Sequence, residues 1–447
     1  MFRGLRAHSD VVVLLAFVTT LLTISWQRWG NPMSDPGLDL TVAANWLDGI
    51  EPYRDTRYWY GPLGVAGLAA TFAVFGASFT AAFAFGLAQT VLIAELWRRL
   101  ATRWLPRPVV LAGLAVVLAI GFSGSLFNFQ LPHTAAATMG LAALLALLLA
   151  LAREDRWWPG VAFGLLALTR PEFVAFGVAA VGGAALGSVR TQGWRPAIGV
   201  LLRATLGAVL VAGPILGWFA ARAGTSVLFT ENLFPVEFIR VAGTRAEASW
   251  HPYDLVSLGN LVLRGGLVIA LGVVAQAIAQ RGPVARRTLT AVVVAGAGIA
   301  AATVLGLAGG EPLGPLKGVV SDAGRLLLPM TVLPAAALGV LAVSAVRWWR
   351  GAPSPLGGSW VGDGALIAAA AACTLRAYDA FSTDIYATYY APPAVLVAAV
   401  VLWRAATADD APEVTRDAPL ANAPSVDASA PQPRRPVLVV GAGLGAG

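Results

Sequence analysis

Apolar stretches close to membrane length recur along the whole chain, at about 10–26, 61–76, 79–97, 108–122, 134–152, 157–169, 172–188, 200–221, 258–279, 289–308, 325–346, 361–376 and 391–404. A helix rises 1.5 Å per residue, so about 20 apolar residues cross a hydrocarbon layer of about 30 Å. The pattern predicts an all-α polytopic membrane protein with roughly 11–13 transmembrane helices. Two connections, 27–59 and 222–257, are long enough to carry structure of their own. Segment 61–76 is short for a crossing, and Phe75-Gly76-Ala77-Ser78 interrupts the apolar run before 79–97. Topology over 60–97 therefore stays open between a half-helix and an extra crossing.

Arginine positions set the orientation. Clusters at Arg98, Arg99, Arg103 and Arg107, at Arg153 and Arg156, at Arg190 and Arg195, at Arg281, Arg286 and Arg287, and at Arg347 and Arg350 belong on the cytoplasmic side by the positive-inside rule. The loops 27–59, 222–257, 309–324 and 377–390 then face outward with Asp35, Asp39, Glu231, Glu237, Asp322, Asp379 and Asp384. In the first of them, residues 40–49 read as an amphipathic interfacial helix with Leu40, Ala43, Ala44 and Leu47 on its apolar side. Trp46, Tyr53, Tyr58, Trp59 and Tyr60 read as headgroup-depth aromatics.

Composition agrees, since a chain 57% hydrophobic and 12% charged is no ordinary soluble domain. The net charge of +7 resides in arginines between apolar runs and calls for no nucleic-acid partner. Basic residues 1–8 precede an apolar 11–24, but no small-x-small cleavage site follows, so a retained first helix is expected. One cysteine, Cys373, excludes an internal disulfide and a cysteine metal site. Three histidines, His133 and His251 among them, show no paired spacing, so no metal site is expected. A divalent cation loosely held by carboxylates is the one cofactor left open. Residues 1–406 read as one transmembrane domain. Residues 407–447, rich in Ala, Pro and Asp, read as a disordered cytoplasmic tail. The tail's last residues, 436–447, imitate the strand and glycine turn of a dinucleotide-binding fold without the helix that would follow.

The chemistry concentrates in the first outer loop. A carboxylate at a membrane surface can take the proton of an acceptor hydroxyl or amine as that group attacks a sugar, which is general-base catalysis. Asp35 and Asp39 are the candidates. Pro36-Gly37 puts Asp35 in a turn and makes Asp39 the N-cap of the next helix, whereas a helix starting earlier would put both acids on one face. Arg325, opening an apolar segment near the outer interface, is suited to a phosphate by paired charge-assisted hydrogen bonds, or to snorkelling. Arg170 sits beside Glu172, so a structural ion pair is its plain alternative. Lys317, the single lysine, lies in a Gly/Pro-rich outer loop.

These residues carry a resemblance. Asp35, then Leu47-Asp48-Gly49-Ile50-Glu51-Pro52-Tyr53-Arg54-Asp55, then Gly61-Pro62-Leu63, resemble the first outer loop of the GT-C integral-membrane glycosyltransferases that use polyprenyl-phosphate sugars. That superfamily includes protein O-mannosyltransferases, lipid A aminoarabinose transferase, and actinobacterial mannosyl- and arabinosyltransferases. Leu166-Ala167-Leu168-Thr169-Arg170-Pro171 is similar to its Leu-Thr-Lys element, with Arg for Lys. Residues 232–240, with Glu237 and Arg240, resemble the helix opening its second large outer loop, and Gly324-Arg325-Leu326-Leu327-Leu328-Pro329 its Arg-Tyr-Leu-Leu-Pro element without the Tyr. Many members have an acid pair where this chain has Asp35-Pro36, which keeps Asp39 in contention as base.

The resemblance implies a sugar moved with inversion from a polyprenyl-phosphate donor to a lipid, glycan or protein acceptor of the cell envelope, at the outer face of the cytoplasmic membrane. Asp35 or Asp39 would be the base. Arg325, Arg240, Arg170 and Lys317 would attend the lipid phosphate, with Glu237 and Tyr53 beside the substrate. The rival expectation is a transporter or flippase of lipid-linked saccharides, which would show paired repeats and helices broken at mid-depth.

Overall fold

The computed structural model describes residues 18–19, 21–23, 26–27, 35–122, 129–131, 135–233, 333–378 and 383–407. Expectations for 258–279, 289–308, 309–324, Arg281, Arg286, Arg287, His133, His251, Asp322, Asp379 and the tail from 408 lie outside the described residues.

The described chain is all-α, with one isolated β-bridge between Pro52 and Thr56. Helix α1 is Asp35–Leu47, α2 Pro62–Phe75, α3 Phe79–Ala101, α4 Arg107–Gly121, α5 Ala135–Ala152 and α6 Trp158–Ala167. Then come α7 Pro171–Thr191, α8 Trp194–Ala223, a π-helical turn Val227–Leu233, α9 Leu333–Trp349, α10 Trp360–Tyr378 and α11 Thr383–Thr407. Four of these, α3, α5, α7 and α8, are long and apolar enough to cross a membrane, which makes this a multi-pass membrane protein. Helix α8 is apolar yet mostly uncovered, with Leu202 and Leu210 each 63% exposed, as a lipid-facing helix requires.

Local chemistry explains the boundaries. Pro36, Pro62 and Pro171 each sit in a first helical turn, where a missing N–H costs nothing. Helix α1 ends in a Schellman arrangement: Gly49, at φ 86°, donates to Trp46 O at 3.2 Å, and Ile50 to Asn45 O at 3.0 Å. Helix α2 stops at Gly76, and Ser78 Oγ caps α3 by accepting from Ala81 N at 3.2 Å. The break expected at 75–78 is therefore present, and α2, 14 residues long, spans about 21 Å.

Several boundaries differ from the sequence reading. Helix α1 begins at Asp35, so Asp39 lies inside it, one turn from Asp35, and is not its N-cap. Its buried face is Pro36, Asp39, Val42 and Ala43, while Leu47 is 48% exposed. Tyr53 and Tyr58 are buried in protein instead of standing in a headgroup belt, because the loop 48–61 folds back under α8. The outer loop expected at 377–390 is shortened, since α11 starts at Thr383 and takes in Asp384.

Contacts sort the helix ends into two groups. At one end Arg103 donates to Ala152 O at 2.7 Å, Gln192 to Glu154 at 3.2 Å and Trp104 to Asp363 at 2.6 Å. Arg190 lies beside Gly351, and Arg404 beside Gly357. This is the arginine-rich end. At the other end, the N–H groups at the start of α2 meet the carbonyls just after α6: Gly61 donates to Thr169 O at 2.7 Å and Leu63 to Leu168 O at 3.0 Å. A large core runs between the ends, and a smaller one of Val42, Tyr53, Tyr58, Leu68, Phe72 and Phe219 lies under the second end.

Helices α7 and α10 run antiparallel at backbone contact. A Cβ on Gly183 would lie 2.2 Å from Gly364 O, and one on Gly187 2.1 Å from Trp360 O. Gly183→Leu is expected to force the pair apart and lower the thermal midpoint in detergent by several degrees, because the obstacle is backbone. A midpoint equal to the parent's would show that the seam is not close-packed.

Candidate functional site

The second end holds the buried polar groups. Asp39, on the inward face of α1, is 2% exposed. Its Oδ1 accepts from the Tyr58 hydroxyl at 2.9 Å, and its Oδ2 accepts from Ala135 N, the first N–H of α5. A helix N-terminus carries unsatisfied donors and a partial positive charge, so a carboxylate is the natural group to place there. Asp39 thus caps α5, a helix 96 residues away, and not its own.

The loop 48–61 is wound around three tyrosines. Tyr53 takes the left-handed region at φ 69°, unusual for an aromatic residue, and is held there by its N–H donating to Thr56 O at 2.9 Å. Its hydroxyl donates to Tyr60 O at 2.6 Å, and its ring meets Phe219 of α8 edge-on at 4.9 Å. Tyr58 N donates to Asn232 Oδ1 at 2.9 Å, and Asn232 Nδ2 donates to Val227 O at 2.8 Å, which fastens the loop to the π-helical turn. Tyr58 and Tyr60 pack edge-on at 5.7 Å. Burial raises the Tyr53 and Tyr58 phenols well above the usual phenol range, and the Asp39 carboxylate adds to it. Both therefore stay protonated and donate.

Tyr60 links this cluster to charge. The Arg170 guanidinium lies over its ring, 4.8 Å from the centroid, and pairs with Glu172 at 2.7 Å. Arg170 is 5% exposed. Tyr390 donates to Glu172 Oε1 at 2.9 Å, and Arg376, in the last turn of α10, is near enough to act on the same carboxylate. Two arginines and one glutamate thus stand at the turn between α6 and α7. Above them, Arg222 of α8 donates to Glu51 at 2.6 Å, Arg57 reaches Glu231 at 3.9 Å, and Arg54 pairs with Asp55 at 2.9 Å. The Arg54 hydrogen bond holds the Asp55 carboxyl below the usual carboxylate range.

Three of the residues singled out from sequence, Asp39, Tyr53 and Arg170, are thereby joined through Tyr58 and Tyr60. Asp35 starts α1 one turn from Asp39, with its side chain outside the described residues. Arg240, Glu237, Lys317 and Arg325 also lie outside them. The ion pair of Arg170 with Glu172, the plain alternative for that arginine, is present. Sequence reasoning missed Asn232, Tyr390 and Arg376 as site residues and gave Tyr58 and Tyr60 to the interface. Among the described residues, no group of three or more His, Cys, Asp or Glu could hold a metal ion.

Fold and site together define an all-α, multi-pass membrane protein with a buried acid, tyrosine and arginine cluster at one end of its bundle. No protein-family model, curated protein or solved structure matches the chain, so its own residues carry the functional reading.

Proposed function

We propose that the chain is a membrane glycosyltransferase that moves a sugar from a polyprenyl-phosphate donor to a cell-envelope acceptor. The observation that carries this reading is the junction at which Asp39, Tyr58, Tyr60, Arg170 and Glu172 form one connected cluster. The positive-inside rule turns the arginine-rich end to the cytoplasm and this cluster outward. The finer topology of 11–13 helices and two large outer loops, 27–59 and 222–257, belongs to the same proposal.

The donor's leaving group is already an anion, so departure needs charge stabilisation and no acid. Arg170 and Arg376 supply cations beside one carboxylate, and Arg325, Arg240 and Lys317 are assigned to the same phosphate. Asp39 already accepts two hydrogen bonds, which suits it to fixing α1, so the acceptor's proton goes to Asp35. The acceptor oxygen or nitrogen bonds to the anomeric carbon as the bond to phosphate oxygen breaks on the opposite face. The electron pair leaves with polyprenyl phosphate, and the product is inverted. Glu237 and Tyr53 are assigned to substrate contact and to shaping the loop, respectively.

In membranes at equal expression, Asp35→Asn is expected to lower transfer from a polyprenyl-phosphate sugar at least about 100-fold without moving the thermal midpoint. Transfer at the parental rate would remove the base assignment. The rival reading, a flippase of lipid-linked saccharides, calls for helices broken at mid-depth, whereas the α6–α7 junction is a hairpin at the end of the bundle. A parent that translocates lipid-linked saccharide across vesicles but transfers no sugar would establish that reading instead.

A further inference from the structure

The opposite end of α7 borders a second feature, a cavity of about 570 Å³ between α7, α9 and α10. That volume suits a small ligand or part of a lipid. Its walls include Gly182, Gly183, Ser344, Trp348, Trp349 and Trp360. The walls are almost wholly apolar. The Ser344 hydroxyl is already spent on Val340 O at 2.6 Å.

Charge at the mouth indicates what that ligand carries. Arg347 and Arg350 lie at the end of α9, and the Arg190 guanidinium is beside Gly351 just after it. All three are exposed, and none joins an ion pair among the described residues. Trp349 is 85% exposed beside them, as an interfacial tryptophan would be. Three exposed cations at the helix ends next to a tryptophan-rimmed apolar slot, none of them ion-paired among the described residues, form a basic surface of the kind that holds anionic headgroups.

We propose that the cavity binds one anionic phospholipid. One acyl chain fills the slot, and Arg190, Arg347 and Arg350 hold the phosphate. The site is separate from the Asp39 and Arg170 cluster and stands whether or not sugar transfer does.

The test is titration of the full chain, delipidated in detergent, with phosphatidylglycerol or phosphatidylcholine, read by intact-complex mass spectrometry and thermal midpoint. Phosphatidylglycerol is expected to form a one-to-one adduct and raise the midpoint, while phosphatidylcholine does neither. Arg347→Gln and Arg350→Gln should each weaken the adduct about fivefold. A Cβ at Gly182 would meet nothing within 4 Å, so Gly182→Leu fills the slot without a clash at Cβ. It should abolish the adduct while the lipid-free midpoint holds. Equal retention of the two lipids overturns the proposal, as does an adduct indifferent to both Gly182→Leu and the arginine variants. A protein dimer lost in Gly182→Leu also overturns it, because a second copy would then occupy the groove.

Discussion

Replacing Asp39 with Ala is expected to destabilise the protein by about 3–5 kcal/mol, more than any other single change in the first outer loop. The carboxylate is buried and both its oxygens accept hydrogen bonds. Its removal strands the Tyr58 hydroxyl and Ala135 N–H, each costing about 1–3 kcal/mol where water cannot reach. The N-terminus of α5 also loses its anion, worth about 0.3–2 kcal/mol. Asp39→Asn keeps one acceptor and should recover part of the loss. Tyr58→Phe, which removes one donor and leaves α5 capped, should cost less than Asp39→Ala. Thermal unfolding in detergent gives the ranking. A midpoint for Asp39→Ala within a degree of the parent's would show that α1 is not held by this acid. Sugar transfer should fall with Asp39→Ala as well, because α1 carries Asp35 at its first position.

Glu172→Ala is the second large effect, at about 3–5 kcal/mol. It leaves the Arg170 guanidinium, 5% exposed, without its paired carboxylate and takes the acceptor from Tyr390. A charge buried at the mouth of a helical bundle cannot recruit water cheaply. Removing both partners is milder than removing one, so Arg170→Met in the Glu172→Ala background should restore much of the stability. Such a cycle measures the coupling directly, and coupling below about 0.5 kcal/mol would mean that the pair is incidental. Loss of transfer should persist in the rescued double variant, because the cation assigned to phosphate is gone.

Helix positions were legible where punctuation is chemical. The break at 75–78 shows as glycine and serine in an apolar run, and α7 opens at Pro171 as its sequence suggests. Ends drifted where a polar turn continues a helix. Helix α3 runs to Ala101 and not 97 because Glu95 pairs with Arg98 at 2.7 Å and Arg99 at 2.6 Å, which hydropathy does not register. Helix α8 starts at Trp194, before its apolar run, because Pro196 suits a first turn. Pro36-Gly37 suits a turn by composition, yet Pro36 is the second residue of α1, where its missing N–H costs nothing.

The site divides along the same line. Arg170 with Glu172 is legible because the partners are two residues apart. Asp39 with Tyr58, Ala135 and the loop reaching Asn232 is not, because hydropathy reports depth along a helix and says nothing of which faces meet. The tyrosines illustrate this best. Their spacing in 53–60 fits an interfacial belt, and only the fold-back under α8 buries Tyr53 and Tyr58.

The most direct test of the central claim is photocrosslinking with a polyprenyl-phosphate sugar that carries a photoreactive group near the phosphate. The account predicts crosslinked peptides within 35–61 and 168–176, removed by unlabelled donor. Crosslinks confined to the α7, α9 and α10 cavity at the arginine-rich end, or crosslinks that unlabelled donor fails to compete away, would contradict it.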